Sequence, residues 1–315
     1  MLATFSRPSG ARWRTLVFTL CLAIVPLAAA AEEPAPAGDV EPGSTPATTI
    51  EEPSGPNTGK VAFSVGSDFT TAYFFRGILQ ERDGFIWQPY GGATITLAED
   101  IGYGVINNID LTFGTWNSVH TKQTGATSSP ANWYESDVIA GFNVGLWDFV
   151  TTNASYVAFT FPNGAFPTAQ EIDWTIAFDD SPLLGPFALN PSMLWVFEVD
   201  GTAFGDKEGI YLGLGAKPAV TVFEEAEYPL TLALPLTLGL SVSEYYEEPG
   251  GDNDTFGYFD AGLVASVPLS FIDSDYGSWN VSASFDVLAL SGTLARANRG
   301  DGTFFVGKAG IAWSY

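Results

Sequence analysis

From Lys60 to Tyr315, apolar side chains recur at every second position. The clearest run is Ser278 to Leu288, where Trp279, Val281, Ala283, Phe285 and Val287 alternate with Asn280, Ser282, Ser284 and Asp286. Ile172, Trp174, Ile176 and Phe178 alternate in the same way with Glu171, Asp173, Thr175 and Ala177, and Leu230 to Leu240 puts leucine at nearly every even position. Successive side chains of a strand point to opposite sides, so each run has one apolar face and one small or polar face. Twelve such segments are predicted, near 60–79, 84–98, 103–116, 132–145, 147–161, 170–179, 187–200, 207–217, 229–243, 255–268, 278–289 and 302–315. Most exceed the ~5–6 residues usual in a soluble sheet and match the ~9–11 tilted residues that cross a bilayer.

An even strand number brings both ends of the sheet to one side, as in bacterial outer-membrane barrels. The predicted class is therefore all-β, a transmembrane antiparallel up-and-down β-barrel of about twelve strands. Glu99–Gly102 and Leu146–Asp148 read as tight turns, whereas Asn117–Ala131, Gly201–Asp206, Glu244–Asp254 and Leu290–Asp301 are long and polar and read as external loops. Asp180–Pro186 and Pro218–Tyr228 are long for periplasmic turns, which leaves ten or fourteen strands as alternatives. Trp87, Trp116, Trp133, Trp147, Trp174, Trp195, Trp279 and Trp313 fall in or beside predicted strands, where an interfacial girdle would want them.

The first 59 residues break this texture. Residues 1–30 read as a secretory signal peptide: Arg7, Arg12 and Arg14, then the apolar Leu16–Leu27, then Ala28-Ala29-Ala30. Cys21, the single cysteine, lies inside the apolar stretch, so the mature chain has no disulfide, thiolate metal site or cysteine nucleophile. Residues 31–59 read as a disordered, acidic, Pro-rich leader on the periplasmic side, too poor in apolar surface to offset its ordering entropy. Removing the signal leaves nine bases against 36 acids, a formal charge of −27. Such a surface cannot neutralise phosphates, which excludes nucleic acid as a partner. A mean hydropathy of +0.14 without a long apolar run fits a protein that meets lipid through alternating strands.

The last eight residues carry polar Lys308, then Gly310, Trp313 and terminal Tyr315 at the spacing of the signal read by the outer-membrane barrel assembly machinery, an expected partner. Near the other end, Ser67-Asp68-Phe69 through Tyr73-Phe74-Phe75-Arg76-Gly77-Ile78-Leu79-Gln80 resembles the opening of the TorF family of porins. That family starts with serine-aspartate-tyrosine-x-phenylalanine-arginine-glycine-x-serine-glutamine, followed by a proline and a glycine-containing strand, here Pro89 and Gly91-Gly92. This chain has four extra residues before the aromatic-arginine-glycine core and Leu79 in place of the serine. The resemblance covers about thirty residues and implies an outer-membrane barrel with a pore function.

Strand parity sends Asp68, Asp110, Glu135, Asp137, Glu171, Asp173, Glu198, Asp260 and Asp286 to the lumen, against the bases Arg76, Lys217 and Lys308. Carboxylates are costly in lipid, so the lumen is their place. The expected function is a passive, narrow, cation-preferring channel for small solutes in the outer membrane, in contact with its lipid and lipopolysaccharide. The alternatives are a plugged structural or envelope-tethering barrel and a barrel enzyme using His120, the single histidine, placed by the pattern in the loop after the third strand. With no orienting carboxylate nearby and no Gly-x-Ser-x-Gly elbow, the chain is expected not to be an enzyme, with no catalytic residue assigned. Gly251-Asp252-Asn253-Asp254 opens like a calcium loop, but Leu263 takes the place of the closing glutamate, so no metal or cofactor is expected.

Overall fold

The computed structural model describes residues 59–247 and 253–315. The signal segment, nearly all of the Pro-rich leader and the first half of the calcium-like loop lie outside the described residues.

Strand β1 (Val61–Thr70) is followed by a short hairpin, β2 (Tyr73–Phe75) and β3 (Ile78–Glu81), that pairs only with itself. The wall continues through β4 (Ile86–Ile101), β5 (Ile106–His120), β6 (Trp133–Leu146), β7 (Val150–Thr160) and β8 (Ala169–Phe178). After a helical turn, α1 (Ser181–Leu184), come β9 (Ser192–Asp200), β10 (Ile210–Ala216), β11 (Ala219–Val222), β12 (Leu230–Ala233) and β13 (Leu236–Ser243). β14 (Phe256–Pro268), β15 (Ser278–Leu290), helix α2 (Gly292–Ala297) and β16 (Thr303–Ser314) complete the chain. β16 pairs with β1 from Ser64↔Ser314 to Thr70↔Lys308, which closes the sheet on itself. Phe63 and Tyr315 exchange backbone hydrogen bonds of 2.7 and 2.9 Å at the seam.

The result is a closed antiparallel barrel of twelve strands, since β10 with β11, and β12 with β13, are each one strand interrupted by proline. Pro218 and Pro235 lack the N–H a ladder needs. The break is bridged instead by Leu234 N–H donating to the Pro218 carbonyl and Gly262 N–H to that of Pro235, at 2.9 and 2.8 Å. This resolves the ambiguous stretch at 218–228: β11 extends the strand, and a shorter turn comes after it.

Burial is inside-out relative to a soluble domain. Phe113, Val138, Phe142, Ile172, Leu263 and Phe285 are exposed on the outer face, while Asp110, Asp137, Glu171 and Asp173 are inaccessible on the inner one. No helix among the described residues is long and apolar enough to cross a membrane; the apolar surface belongs to the strands. The connections after β1, β5, β7, β9, β13 and β15 lie at the end opposite the Phe63–Tyr315 seam, called the loop end below.

Four expectations need correction. The first predicted strand, 60–79, stops at Thr70, and residues 73–81 fold inward as the hairpin. His120 is the last residue of β5, facing in, because the strand runs past the predicted end at 116. Trp116 is not in the girdle: it is buried inside, 5.2 Å from the ring of Tyr73. The polar loop 290–301 contains α2, capped by the Ser291 hydroxyl accepting from Leu294 N–H at 3.2 Å, with Leu294 buried. The inner face is therefore not uniformly small and polar. Tyr73, Phe75, Trp116, Tyr134, Val157, Phe159, Val196, Tyr211, Tyr245, Tyr246, Tyr258 and Leu294 pack into apolar clusters there. These clusters form around the hairpin.

Candidate functional site

The hairpin reaches across the lumen because its tip is a two-residue turn. Phe75 pairs with Ile78, and both intervening residues have positive φ, +46° at Arg76 and +82° at Gly77. Glycine takes such a value freely. A Cβ at Gly77 would also press on Leu294 of α2 and Tyr258 of β14, at 2.8 and 3.0 Å. Arginine adopts the left-handed region only at a cost, of order 1–3 kcal/mol, which the surrounding structure must over-determine.

It does so through charge. The Arg76 guanidinium, 1% exposed, donates to both oxygens of Glu171 on β8 at 2.6 and 2.9 Å, and lies 3.8 Å from Asp173. A third donor contact goes to the Tyr245 hydroxyl at 2.8 Å, and the rings of Phe75, Tyr211 and Tyr245 lie 4.7–5.7 Å from it. Bidentate geometry with flanking rings is what arginine does and lysine does not. Beside this pair, the Tyr73 hydroxyl donates to Glu135 on β6 at 2.8 Å. Both carboxylate oxygens of nearby Asp137 are buried without a hydrogen bond from any described residue. The tip is clamped from above as well: the Tyr246 hydroxyl donates to the Arg76 carbonyl at 2.9 Å. The Asn298 side chain donates to Gly77 O at 2.8 Å and accepts from Leu79 N–H at 3.0 Å. One hairpin thus touches β6 and β8 on one wall, the segment after β13, and α2 on the other side.

Of the residues expected to line the lumen, the structure gathers Arg76, Glu135, Asp137, Glu171 and Asp173 at the hairpin. Arg76 is supplied by the hairpin and not by a wall strand. Asp68, Asp260, Asp286 and Lys308 face inward on β1, β14, β15 and β16, with Asp68 opposite Gly310 and Lys308 between Thr70 and Ser284. Gly310 is needed there: a Cβ would collide with the Asp68 carboxylate. Asp110 is held by the side-chain amides of Asn108 and Asn143 at 2.5 and 3.2 Å. One assignment changes. Glu198 accepts from the backbone N–H of Ala203 and Gly209 at 2.5 and 2.7 Å, so it fastens the β9–β10 connection instead of lining a path. Lys217 stands beside the proline break at the parity of buried Tyr211, with its backbone N–H on the Leu189 carbonyl at 2.7 Å. Trp313 of the terminal signal donates to the Tyr276 carbonyl at 2.7 Å and stacks on Tyr315 at 6.0 Å. Tyr73, Tyr245, Tyr246 and Asn298 were missed by the sequence reading; the Arg76-Gly77 pair between aromatic residues was the available turn signal.

His120 has more company than its sequence neighbours suggest. The Ser118 hydroxyl lies 2.8 Å from its Nε2, Thr124 Oγ1 lies 2.9 Å from Nδ1, and Thr124 in turn donates to Glu81 of the hairpin. A carboxylate is thus linked to the imidazole after all. The bonds run serine–imidazole–hydroxyl–carboxylate, with Glu81 towards solvent and Ser118 fully buried behind the ring. The relay ties the hairpin limb to β5.

No family model and no curated protein matches this chain. Among solved structures, LpxR from Salmonella typhimurium aligns with a TM-score of 0.44 at 7% identity, over 80% of this chain and 99% of that one. An outer membrane channel from Pseudomonas putida F1 aligns with a TM-score of 0.44 at 11% identity, over 82% and 96%. The NanC porin aligns with a TM-score of 0.38 at 11% identity, over 80% and 98%. These likenesses concern the fold, an outer-membrane type of β-barrel. They correct the expectation that the chain is not an enzyme: LpxR is a lipid A deacylase, so the architecture is shared by an enzyme and by pores.

Proposed function

We propose that this chain is a gated outer-membrane channel of the porin kind, narrow, passive and cation-preferring, closed at its external end by the β2–β3 hairpin. The observation that carries the reading is the position of Arg76. A single arginine at the tip of a lumen-crossing hairpin sits on a patch of wall carboxylates: Glu135, Asp137, Glu171 and Asp173. Docked, it neutralises part of that patch and fills the path. Withdrawn, it leaves the inward acids facing only Lys217 and Lys308 among the expected inward bases. A low-dielectric wall focuses such a field, concentrates cations and repels anions. The loop end then faces outside, the Phe63–Tyr315 seam faces the periplasm, and the apolar outer face with its tryptophans meets lipid and lipopolysaccharide. A place in the TorF family would fit this reading, since the aromatic-arginine-glycine core of the resemblance, Tyr73 to Gln80, forms the hairpin.

The test is the reversal potential of refolded protein in a planar bilayer under a KCl gradient. Preference for K⁺ that weakens as salt rises supports the reading, because the Debye length falls from ~30 Å at 0.01 M to ~3 Å at 1 M. Preference for Cl⁻ would contradict it. A second reading, a permanently plugged barrel, is favoured by the depth of packing around Tyr73, Phe75 and Arg76. It predicts no conductance at any voltage.

A further inference from the structure

At the loop end a recess of about 540 Å³ opens between segments far apart in sequence: the hairpin limb at 79–83, the β5–β6 connection at 122–125 and the end of α2 at 297–299. Its volume falls within the ~300–1,000 Å³ of small-molecule sites. Arg82, Lys122 and Arg299 all line it. The described residues carry nine lysines and arginines, so a third of them meet in one hollow of a chain with formal charge −24. Solubility gives no reason for that concentration.

The acids present do not neutralise these cations evenly. Glu81 is occupied: its carboxylate accepts from the backbone N–H groups of Arg82 and Asp83, at 2.8 and 2.6 Å, and from the Thr124 hydroxyl. Arg82 is paired with Asp301 at 3.3 Å. The side chains of Lys122 and Arg299 are exposed and make no ion pair with any described residue. Asp83 and Gln123 stand beside them on the rim. Two unpaired cations next to a carboxylate and an amide form a mixed donor and acceptor set. It suits a molecule that is anionic at one point and hydroxylated elsewhere.

We propose that this recess binds an anionic saccharide, its phosphate or carboxylate taken by Lys122 and Arg299 and its hydroxyls by Asp83 and Gln123. Such a group reaches the loop end either as the phosphorylated inner sugars of lipopolysaccharide or as a free sugar acid. Binding does not depend on whether the lumen conducts.

The experiment is calorimetric titration of the full folded protein in detergent micelles with glucose 6-phosphate, glucuronate, purified lipopolysaccharide and neutral glucose. At least one anionic probe should bind, with glucose at least tenfold weaker. Lys122→Gln with Arg299→Gln should weaken the anion by about tenfold for each cation removed, while Lys207→Gln, in another loop, should leave it unchanged. Both changed side chains are exposed, so folding is checked simply by retention of heat-modifiable mobility. Binding of lipopolysaccharide alone assigns the lipid-borne source, and binding of the small probes assigns the solute. No binding of any anion, equal binding of glucose, or an unchanged double variant would overturn the proposal and leave the conductance reading standing.

Discussion

Replacing Arg76 by alanine should release the hairpin from the lumen without unfolding the barrel. The change removes two hydrogen bonds to Glu171, one to Tyr245, the contact to Asp173 and three ring contacts. It leaves Glu171 and Asp173 buried without their counter-charge. Removing one partner of a buried pair typically costs ~3–5 kcal/mol, chiefly through the charge left behind. The wall ladders of β6 and β8 do not use Arg76, so the cost falls on hairpin docking. Undocking lets water reach both carboxylates and recovers most of it. At about 1.4 kcal/mol per factor of ten, the closed-to-open ratio should fall on the order of 10²- to 10³-fold. Arg76→Lys keeps a charge but not the fork, so it should lie between. Single-channel recording reads the open fraction directly, and proteolysis from the loop side reads exposure of residues 73–81. An Arg76→Ala protein that folds, with open fraction and protease resistance unchanged within about twofold, would refute the latch, because ~3 kcal/mol cannot vanish from a docked buried charge.

Gly77→Val should also loosen the tip, since it adds a β-branched side chain at φ +82° against Leu294 and Tyr258; a loss of ~1–3 kcal/mol in urea titration of hairpin exposure is expected, and no loss would place the tip elsewhere. Glu81 gives a pH dependence: although partial burial pushes its carboxyl up, the Thr124 hydroxyl and the N–H groups of Asp83 and Arg82 hold it below its usual value of 4.5. A depressed folded value contributes stability that is present above the unfolded value and lost as pH falls through the folded one. Thr124→Val should therefore destabilise the loop end most at neutral pH and progressively less as pH falls below 4.5, and a loss that does not shrink in acid would remove the charge from the explanation. Tyr315→Asp should lower the folded yield and raise periplasmic degradation, measured by heat-modifiable mobility in membranes; normal assembly would make the terminal match accidental.

The wall was legible because one rule, the alternation of apolar and polar faces, runs along all of it. Phe113, Phe142, Trp174 and Phe285 must face out, and period two then fixes every neighbour, so even Asp137 and Asp173 could be placed on the inner face by counting. The hairpin was not legible for the same reason. Tyr73-Phe74-Phe75 continues the aromatic texture of β1, and nothing in alternation alone says that the chain leaves the wall at Thr71. What ends the strand is long-range: Tyr73 meets Glu135 on β6, and Arg76 meets Glu171 on β8, 95 residues away. The resemblance carried by Tyr73 to Gln80 marked the right segment while alternation gave it the wrong conformation. His120 illustrates the limit at a site: its carboxylate, Glu81, is brought by the hairpin fold and not by sequence proximity.

If the hairpin, and not the wall, closes an acid-lined lumen, removing it should open the barrel. Single-channel conductance of protein in which residues 72–82 are replaced by a short Gly/Ser linker, recorded beside the wild type in 0.1 M KCl, tests this most directly. The wild type should open rarely, and the shortened protein should be steadily open with K⁺ favoured over Cl⁻. A correctly folded shortened barrel that stays closed, or a wild type that conducts as freely as the shortened one, would contradict it.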